Sequence, residues 1–473
     1  MEIVGRKAEI QRLDEIMARD QPAFLAVYGR RRVGKTFLIR NFFQNKFAFY
    51  ATGLANSPTK AQLLNFSLSI NESFGASYKP FNSWLEAFAA LRFCLSKIKG
   101  NRVVFLDELP WFDTRKSDFL TGLENFWNNW AGAEPGLKLI VCGSAASWMI
   151  HELIRNKGGL YNRVTHRMKL EPFTLHEVER FLQSKGLTLD RYQVIQLYMV
   201  VGGIPFYLEQ VKQGLSIAQN IEKICFQTDG LLRSEFQFIF SSLFSNGEKH
   251  EALLRKIFEL GSRATRENLI KLGGIPSSGD LSNKLNELEE SGFLKSYLPF
   301  GAQKNKRIYA VSDYYTLFYL KFIEHSGPYQ TGQWISRLDD PAIRAWQGLA
   351  FEQVCWDHLP QIKKELGISG VYTEISTWFR KGNEAFEGAQ VDLVIDRKDR
   401  IINLLEIKFS VNPFEITKAY DLKLRNKVGR FMEAIKQKKA VFLVMITTYG
   451  LVKNEYARSI VQNEITMDHL FEP

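Results

Sequence analysis

Residues 23–36 read AFLAVYGRRRVGKT, and the fold of the first third of the chain turns on how this stretch is read. Its opening six residues form an apolar run with the length of a buried strand. Gly29 to Thr36 then fit the pattern GxxxxGK[ST], and a helix is predicted from Thr36 to Phe43. In such a strand–loop–helix the glycines let backbone N–H groups wrap a phosphate chain, and the helix N-terminus adds its dipole. Arg30, Arg31, Arg32 and Val33 lie along the loop. Lys35 is placed for the β- and γ-phosphates and Thr36 for Mg²⁺. ATP and Mg²⁺ are therefore the expected cofactors. A chance glycine-rich turn would lack the strand before it, the helix after it and an acidic strand further on.

That acidic strand is RVVFLDE, from Arg102. An aspartate at the tip of a buried strand is costly unless a cation or a hydrogen-bond partner meets it. Asp107 is predicted to hold Mg²⁺ through water and Glu108 to polarise the attacking water. KLIVCGS, from Lys138, brings Ser144 to the tip of the next strand, to sense the γ-phosphate or orient that water. Apolar strands alternating with helices predict a parallel sheet with crossover helices.

Working outward, 473 residues are too many for one core. The composition, 45% hydrophobic and 24% charged, is that of an ordinary globular protein. A charged start without an apolar segment argues against a signal peptide, and no apolar run is long enough to span a bilayer, so a cytoplasmic protein without membrane contact is expected. Cys94, Cys142, Cys225 and Cys355 lack CxxC spacing and read as buried thiols, not zinc ligands. The net charge of +11 leans towards an anionic partner, DNA above RNA, although solvated lysines give the same number.

Past Glu171 the pattern turns helical, with a turn at GGIP, Gly202 to Pro205. From Glu248, EALLRKIFEL, TRENLIKL and DLSNKLNELEESGF read as three helices, and SYLPF and KRIYAV as a hairpin. This predicts a winged helix-turn-helix. Leu281, Leu285 and Leu288 would face its core, while Ser282, Asn283, Lys284 and Asn286 would face a groove. Lys304, Lys306 and Arg307 would meet phosphates. An aromatic connector, Tyr314 to about Glu324, and a linker from Gly327 to Pro341 follow.

In the last section, a helix AIRAWQGLAFEQVCWDHL precedes strands at VYTEIS, QVDLVID, INLLEIKFS and AVFLVMI. Strand alternation puts Glu406 and Lys408 side by side on the polar face. A hairpin around DRKDR brings Asp392 to Glu406, so the two carboxylates are candidates to share a divalent cation while Lys408 positions or activates water. Glu352 would complete the set. Lys418, Lys423, Arg425, Lys427 and Arg430, with KQKK beyond them, offer a track for a nucleic-acid backbone; a solvated helix face is the plain alternative. A salt-bridged, half-exposed strand equally explains Asp392 and Glu406-Ile407-Lys408 taken alone.

The motifs IVGRKAEIQRL, YGRRRVGKT, VVFLDE, IVCGS, LYNR and GGIPFYL, in this order, resemble the archaeal-type P-loop ATPase family of the STAND branch near the AAA+ ATPases. The likeness covers nearly the whole chain, because that family often carries a winged helix and a C-terminal nuclease-like domain. It implies that Gly5 and Arg6 line the adenine side and that Arg163 is an arginine finger or γ-phosphate sensor, with Arg155 and Arg167 as competitors. It also implies that Gly202, Gly203 and Pro205 form a lid motif. The C-terminal residues resemble a PD-(D/E)xK nuclease core, without a clear QxxxY after the lysine.

The expected architecture is multidomain α/β, with a P-loop parallel-sheet ATPase core at 1–170 and a helical lid at 171–244. A winged helix-turn-helix at 245–311, a connector at 312–342 and a restriction-endonuclease-like α/β domain at 343–473 complete it. The expected function is an ATP-regulated, DNA-directed enzyme. The alternatives are a signalling NTPase switch or scaffold, able to form a homo-oligomer with protein partners and no nuclease activity, and a transcription regulator using only the winged helix.

Overall fold

A computed structural model describes residues 3–155, 158–160, 162–244, 246–328, 332–382, 388–435 and 439–473. Tyr161 of LYNR, Ser245 at an expected boundary and the 436–438 part of KQKK lie outside them. The chain divides into two compact units, Met1–Pro172 with Ile239–Gly247, and Phe173–Phe238 with Glu248–Pro473. The end of the expected helical lid thus groups with the N-terminal core.

The first unit is built on β1 (Ala23–Tyr28), β2 (Phe49–Thr52), β3 (Arg102–Asp107), β4 (Leu137–Gly143) and β5 (His166–Lys169). They form one sheet in the order β2-β3-β4-β1-β5, and every neighbouring pair is parallel. Both faces of this sheet are covered. Phe24, Ala26, Val104 and Leu106 enter one apolar cluster, and Leu25, Val27, Val103 and Phe105 enter the other. This explains why β1 and β3 read as continuous apolar runs and not as alternating ones. Each fully buried Val, Leu or Phe contributes about 1.5–3 kcal/mol, so the strands carrying the site are firmly held.

The second unit starts with a helical region whose main members are Leu175–Ser184 and Arg191–Val201. The helices Gly247–Glu259, Arg266–Lys271 and Gly279–Glu290 follow. With them goes an antiparallel sheet of β6 (Arg263–Thr265), β7 (Leu294–Tyr297) and β8 (Ile308–Val311) in the order β6-β8-β7. The sequence showed β7 and β8 as a hairpin but not β6, which is only three residues long. The expected linker is anchored instead: Trp334 is buried, and the Glu222 carboxylate accepts the N–H groups of Gln333, Trp334 and Ile335.

The C-terminal part has a mixed sheet of β9 (Thr373–Arg380), β10 (Ala389–Arg397), β11 (Ile401–Lys408), β12 (Ala440–Thr447) and β13 (Asn463–Thr466). Its order is β13-β12-β11-β10-β9, with β10 antiparallel to both its neighbours, β9 and β11, and with β11, β12 and β13 parallel. The helices Pro341–Asp357 and Lys418–Ala434 belong to the same part. No helix among the described residues is long and apolar enough to cross a membrane.

Candidate functional site

The sheet order places β4 between β1, which feeds the phosphate loop, and β3, which ends on Asp107. Three strand tips therefore converge. Gly34 caps the helix Lys35–Phe42 at φ +94°, a conformation suited to glycine. The requirement at Gly29 is different: a Cβ there would lie 2.3 Å from the Leu170 carbonyl oxygen, because Leu170 donates its N–H to Tyr28 as the chain leaves β5.

Lys35 is buried, and its ammonium donates to the carbonyls of Gly29 at 3.0 Å and Arg30 at 2.9 Å. Burial lowers its pKa, against the opposing pull of Cys142, Glu108 and Asp107. The group thus folds back on its own loop and has carbonyl partners to exchange for phosphate oxygens. Arg6 does not stand free for a base. Its guanidinium donates to the carbonyls of Val33 at 3.0 Å and Glu171 at 2.6 Å, tying the N-terminal helix Lys7–Met17 to the loop. Arg31 donates to Ser242, in the segment that the first unit takes from beyond the helical region.

One oxygen of Asp107, Oδ1, accepts three donors: Thr36 Oγ1 at 3.1 Å, Glu108 N at 3.0 Å and Cys142 Sγ at 2.7 Å. Burial raises the Asp107 pKa, and these donors work against that rise. Sequence reasoning treated Cys142 as a plain buried thiol. Its position next to Val141, which pairs from β4 with Leu106 on β3, is what brings it level with Asp107. Glu108 sits at φ 48°, left-handed backbone that a non-glycine residue adopts only at an energetic cost of about 1–2 kcal/mol. In that conformation Oε1 accepts the Ser144 hydroxyl at 2.7 Å and Oε2 the Ser144 N–H at 3.2 Å.

Arg163 requires a correction. It precedes β5, whose first residue, His166, pairs with Leu25, whereas the phosphate loop begins four residues beyond Leu25 at Gly29. In a parallel sheet this puts Arg163 at the opposite end. Four residues at about 3.3 Å each separate the levels by roughly 13 Å, beyond an arginine's reach. It is exposed, and the register of β5 sets it away from the phosphate loop of its own chain. Gly202, Gly203 and Pro205 are built as a helix-ending turn. Gly202 has φ +63°, Pro205 opens a short helix, and a Cβ on Gly203 would meet the Phe173 carbonyl oxygen at 1.9 Å.

In the second unit the structure brings Glu352, Asp392, Glu406 and Lys408 together. The register shifts between Val391 and Val394, a bulge that re-aims Asp392. Its Oδ2 accepts the Ile407 N–H at 3.0 Å. Burial, with Glu406 and Glu352 adding to it, pushes Asp392 up to about 7. Glu406 is fully engaged. Oε1 meets Lys408 Nζ at 2.9 Å and the Tyr420 hydroxyl at 2.6 Å, and Oε2 meets Lys427 Nζ at 2.7 Å. Burial would raise its pKa, but Lys408 and Lys427 prevail and hold it below the usual range. Glu352 Oε2 lies 3.3 Å from Arg263 Nη2, and burial raises its pKa despite the opposing Arg263 and Lys408. Among the described residues no group of three or more His, Cys, Asp or Glu is arranged to hold a metal ion. The carboxylates suit a hard cation in kind, yet the chain's own cations occupy them; as arranged, they do not fit one.

Sequence reasoning missed Tyr420 and Arg263 here, and it assigned Lys427 to a nucleic-acid track. Arg430 leaves that track too, being buried and paired with Glu433, while Arg425 pairs with Asp421. Lys418 and Lys423 are exposed. On the helix Gly279–Glu290, Ser282 is half-buried and Asn283 and Asn286 are exposed, but Lys284 is buried and paired with Asp280, which corrects its expected place in a groove. Lys304 and Arg307 are exposed; Lys306 pairs with Glu267 at 2.9 Å.

Against known proteins, residues 3–211 match the family described as an ATPase domain predominantly from Archaea. An uncharacterized protein of Methanocaldococcus jannaschii is 23% identical over 431 residues, 90% of this chain and 92% of that one. An uncharacterized ATP-binding protein of the same organism is 44% identical over 43 residues, 9% of this chain and 73% of that one. Among solved structures, the Walker-type ATPase of Pyrococcus abyssi superposes with a TM-score of 0.51 at 19% identity, covering 68% of this chain and 96% of that one.

Proposed function

We propose, from the premise that residues 3–211 form an ATPase domain of the predominantly archaeal family, that this chain binds and hydrolyses ATP to govern a nucleic-acid-directed C-terminal half. One observation carries the ATPase reading: the hydrogen-bonded line from Thr36 through Asp107 and Glu108 to Ser144 across the tips of a parallel sheet. Thr36 and Asp107 would hold Mg²⁺ with the triphosphate, and the ion supplies charge neutralisation on the phosphate oxygens. Lys35 exchanges its loop carbonyls for phosphate oxygens. Glu108 takes the proton of the attacking water, and Ser144 holds its carboxylate. Arg163, exposed at the far end of the sheet, serves as a finger only towards a second copy.

Steady-state phosphate release and nucleotide binding test this reading. Lys35→Ala should abolish binding. Glu108→Gln should keep binding and cut turnover by about 10²–10⁴-fold. Normal turnover in either variant overturns the assignment.

For the second unit the reading is a winged helix-turn-helix that contacts DNA, followed by a sheet whose Asp392 and Glu406-Ile407-Lys408 follow the PD-(D/E)xK pattern. A rival has one observation in its favour. Every carboxylate of the cluster but Asp392 is paired with a cation of the chain, as suits a switch that recruits partners and cuts nothing. Plasmid and linear DNA incubated with ATP and Mg²⁺ or Mn²⁺ separate the two. Cleavage lost in Glu406→Ala and Lys408→Ala supports the nuclease reading. No cleavage under any combination, with nucleotide-dependent oligomerisation, supports the switch.

A further inference from the structure

Three cations stand among the three carboxylates, and they differ in origin. Lys408 lies on β11 beside Glu406, and Lys427 on the helix Lys418–Ala434. Arg263 comes from β6, the strand that completes the sheet of the winged-helix segment, 89 residues before its partner Glu352. Its placement is set by more than one exposed ion pair. The same segment is fastened to the C-terminal part by Lys295 on Asp357, by the Phe300 N–H on the Thr377 carbonyl at 2.8 Å, and by Phe300 against Phe431 at 5.1 Å between ring centroids.

Resting on the reading of Asp392, Glu406 and Glu352 as a nuclease-like metal set, we infer that Arg263 is a latch. Its guanidinium stands in the place of the cation, and the winged-helix segment thereby keeps the cluster closed to a divalent ion. A like charge within a few ångströms opposes a second cation directly, and the guanidinium already holds Oε2 of Glu352. The side chain is 38% exposed and Glu352 14%, so the guanidinium reaches solvent while its partner is largely buried, and the latch opens only when another cation takes its place on Glu352. Arg263 also lines a cleft of about 620 Å³ between Tyr297 and the helix bearing Trp346 and Trp356, which gives the guanidinium room to leave without moving β6.

Mn²⁺ titration of the nucleotide-free, full-length protein, followed by the electron paramagnetic resonance of the free ion, tests the latch. Arg263→Ala should bind one Mn²⁺ at least about ten-fold more tightly than the parent chain. Adding Asp392→Asn should abolish the gain. Arg263→Gln, which keeps a donor near Glu352, should show the same direction if the alanine variant fails to fold. Equal, tight binding by parent and variant overturns the latch while leaving the metal set standing. Binding by neither overturns both. A gain that survives Asp392→Asn puts the ion elsewhere and overturns the latch.

Discussion

Ser144 grips Glu108 at both oxygens, with its hydroxyl on Oε1 at 2.7 Å and its N–H on Oε2 at 3.2 Å. On the proposed ATPase reading, the serine would act on ATP through the glutamate. Ser144→Ala should lower turnover about ten-fold, because a carboxylate held only by the remaining N–H on Oε2 spends less time aimed at the water, and should leave ATP affinity within about two-fold. The double variant with Glu108→Gln should be no slower than Glu108→Gln alone, since groups acting as a unit are not additive. Additive losses in single-turnover rates would show that Ser144 works independently.

Two glycines of one loop should fail differently. Gly29→Ala drives a Cβ against the Leu170 carbonyl oxygen at φ +141°, and the backbone on both sides is fixed by β1 and β5. It should destabilise by several kcal/mol, about 3 or more, and reduce soluble yield. Gly34→Ala meets nothing within 4 Å and bears only the strain of φ +94°, about 1 kcal/mol. It should fold, with a melting temperature a few degrees lower. Equal losses in urea melts would remove the steric argument for Gly29.

The contrast between Cys142 and Lys284 shows what the sequence could reveal. The parallel core was legible because buried strands must be apolar on both faces, and GRRRVGKT and LDE mark their tips. Cys142 was not, because its link to Asp107 depends on β4 lying between β1 and β3, a strand order that no local pattern encodes. Lys284 reads as an exposed residue by type and spacing, yet the helix turns it onto Asp280 and buries its stem. The Glu406–Lys408 pair was visible in strand alternation. Tyr420 and Lys427 were not, since they reach Glu406 from a helix that begins ten residues after β11 ends. Arg263 lay further off still, in a three-residue strand too short to carry a period.

If the segment proposed as a winged helix meets DNA, its exposed charges should control binding and its buried one should not. Lys304→Glu with Arg307→Glu should weaken binding to any duplex and reduce the slope of log affinity against log salt by about two. Lys284→Ala should lower stability and leave that slope unchanged. Anisotropy titrations at several salt concentrations decide it. An unaltered slope in the Lys304/Arg307 variant would take the wing off the DNA.

His358 sets an acid limit on the second unit. It is 1% exposed, and both ring nitrogens are committed: Nε2 accepts the Leu175 N–H at 2.9 Å and Nδ1–H donates to the Val354 carbonyl at 2.8 Å. Burial pushes its pKa down to about 4, with Val354 opposing and Lys295 assisting. The unfolded chain binds a proton at this residue below about 6.5, and the folded chain does not until about 4. In that window the unfolded state holds more protons, so stability falls as pH falls. Above about 6.5 both forms are neutral and the effect vanishes. The gap of about 2.5 units, at about 1.4 kcal/mol each, gives a loss of about 3–4 kcal/mol once the pH has fallen through the whole window. His358→Leu should be less stable than the parent by about 1–3 kcal/mol at neutral pH, because it leaves the Leu175 N–H without an acceptor. That disadvantage should shrink or reverse as urea melts are taken from about pH 7 to about pH 4.5. A difference that stays constant across the series would mean that another group carries the acid sensitivity.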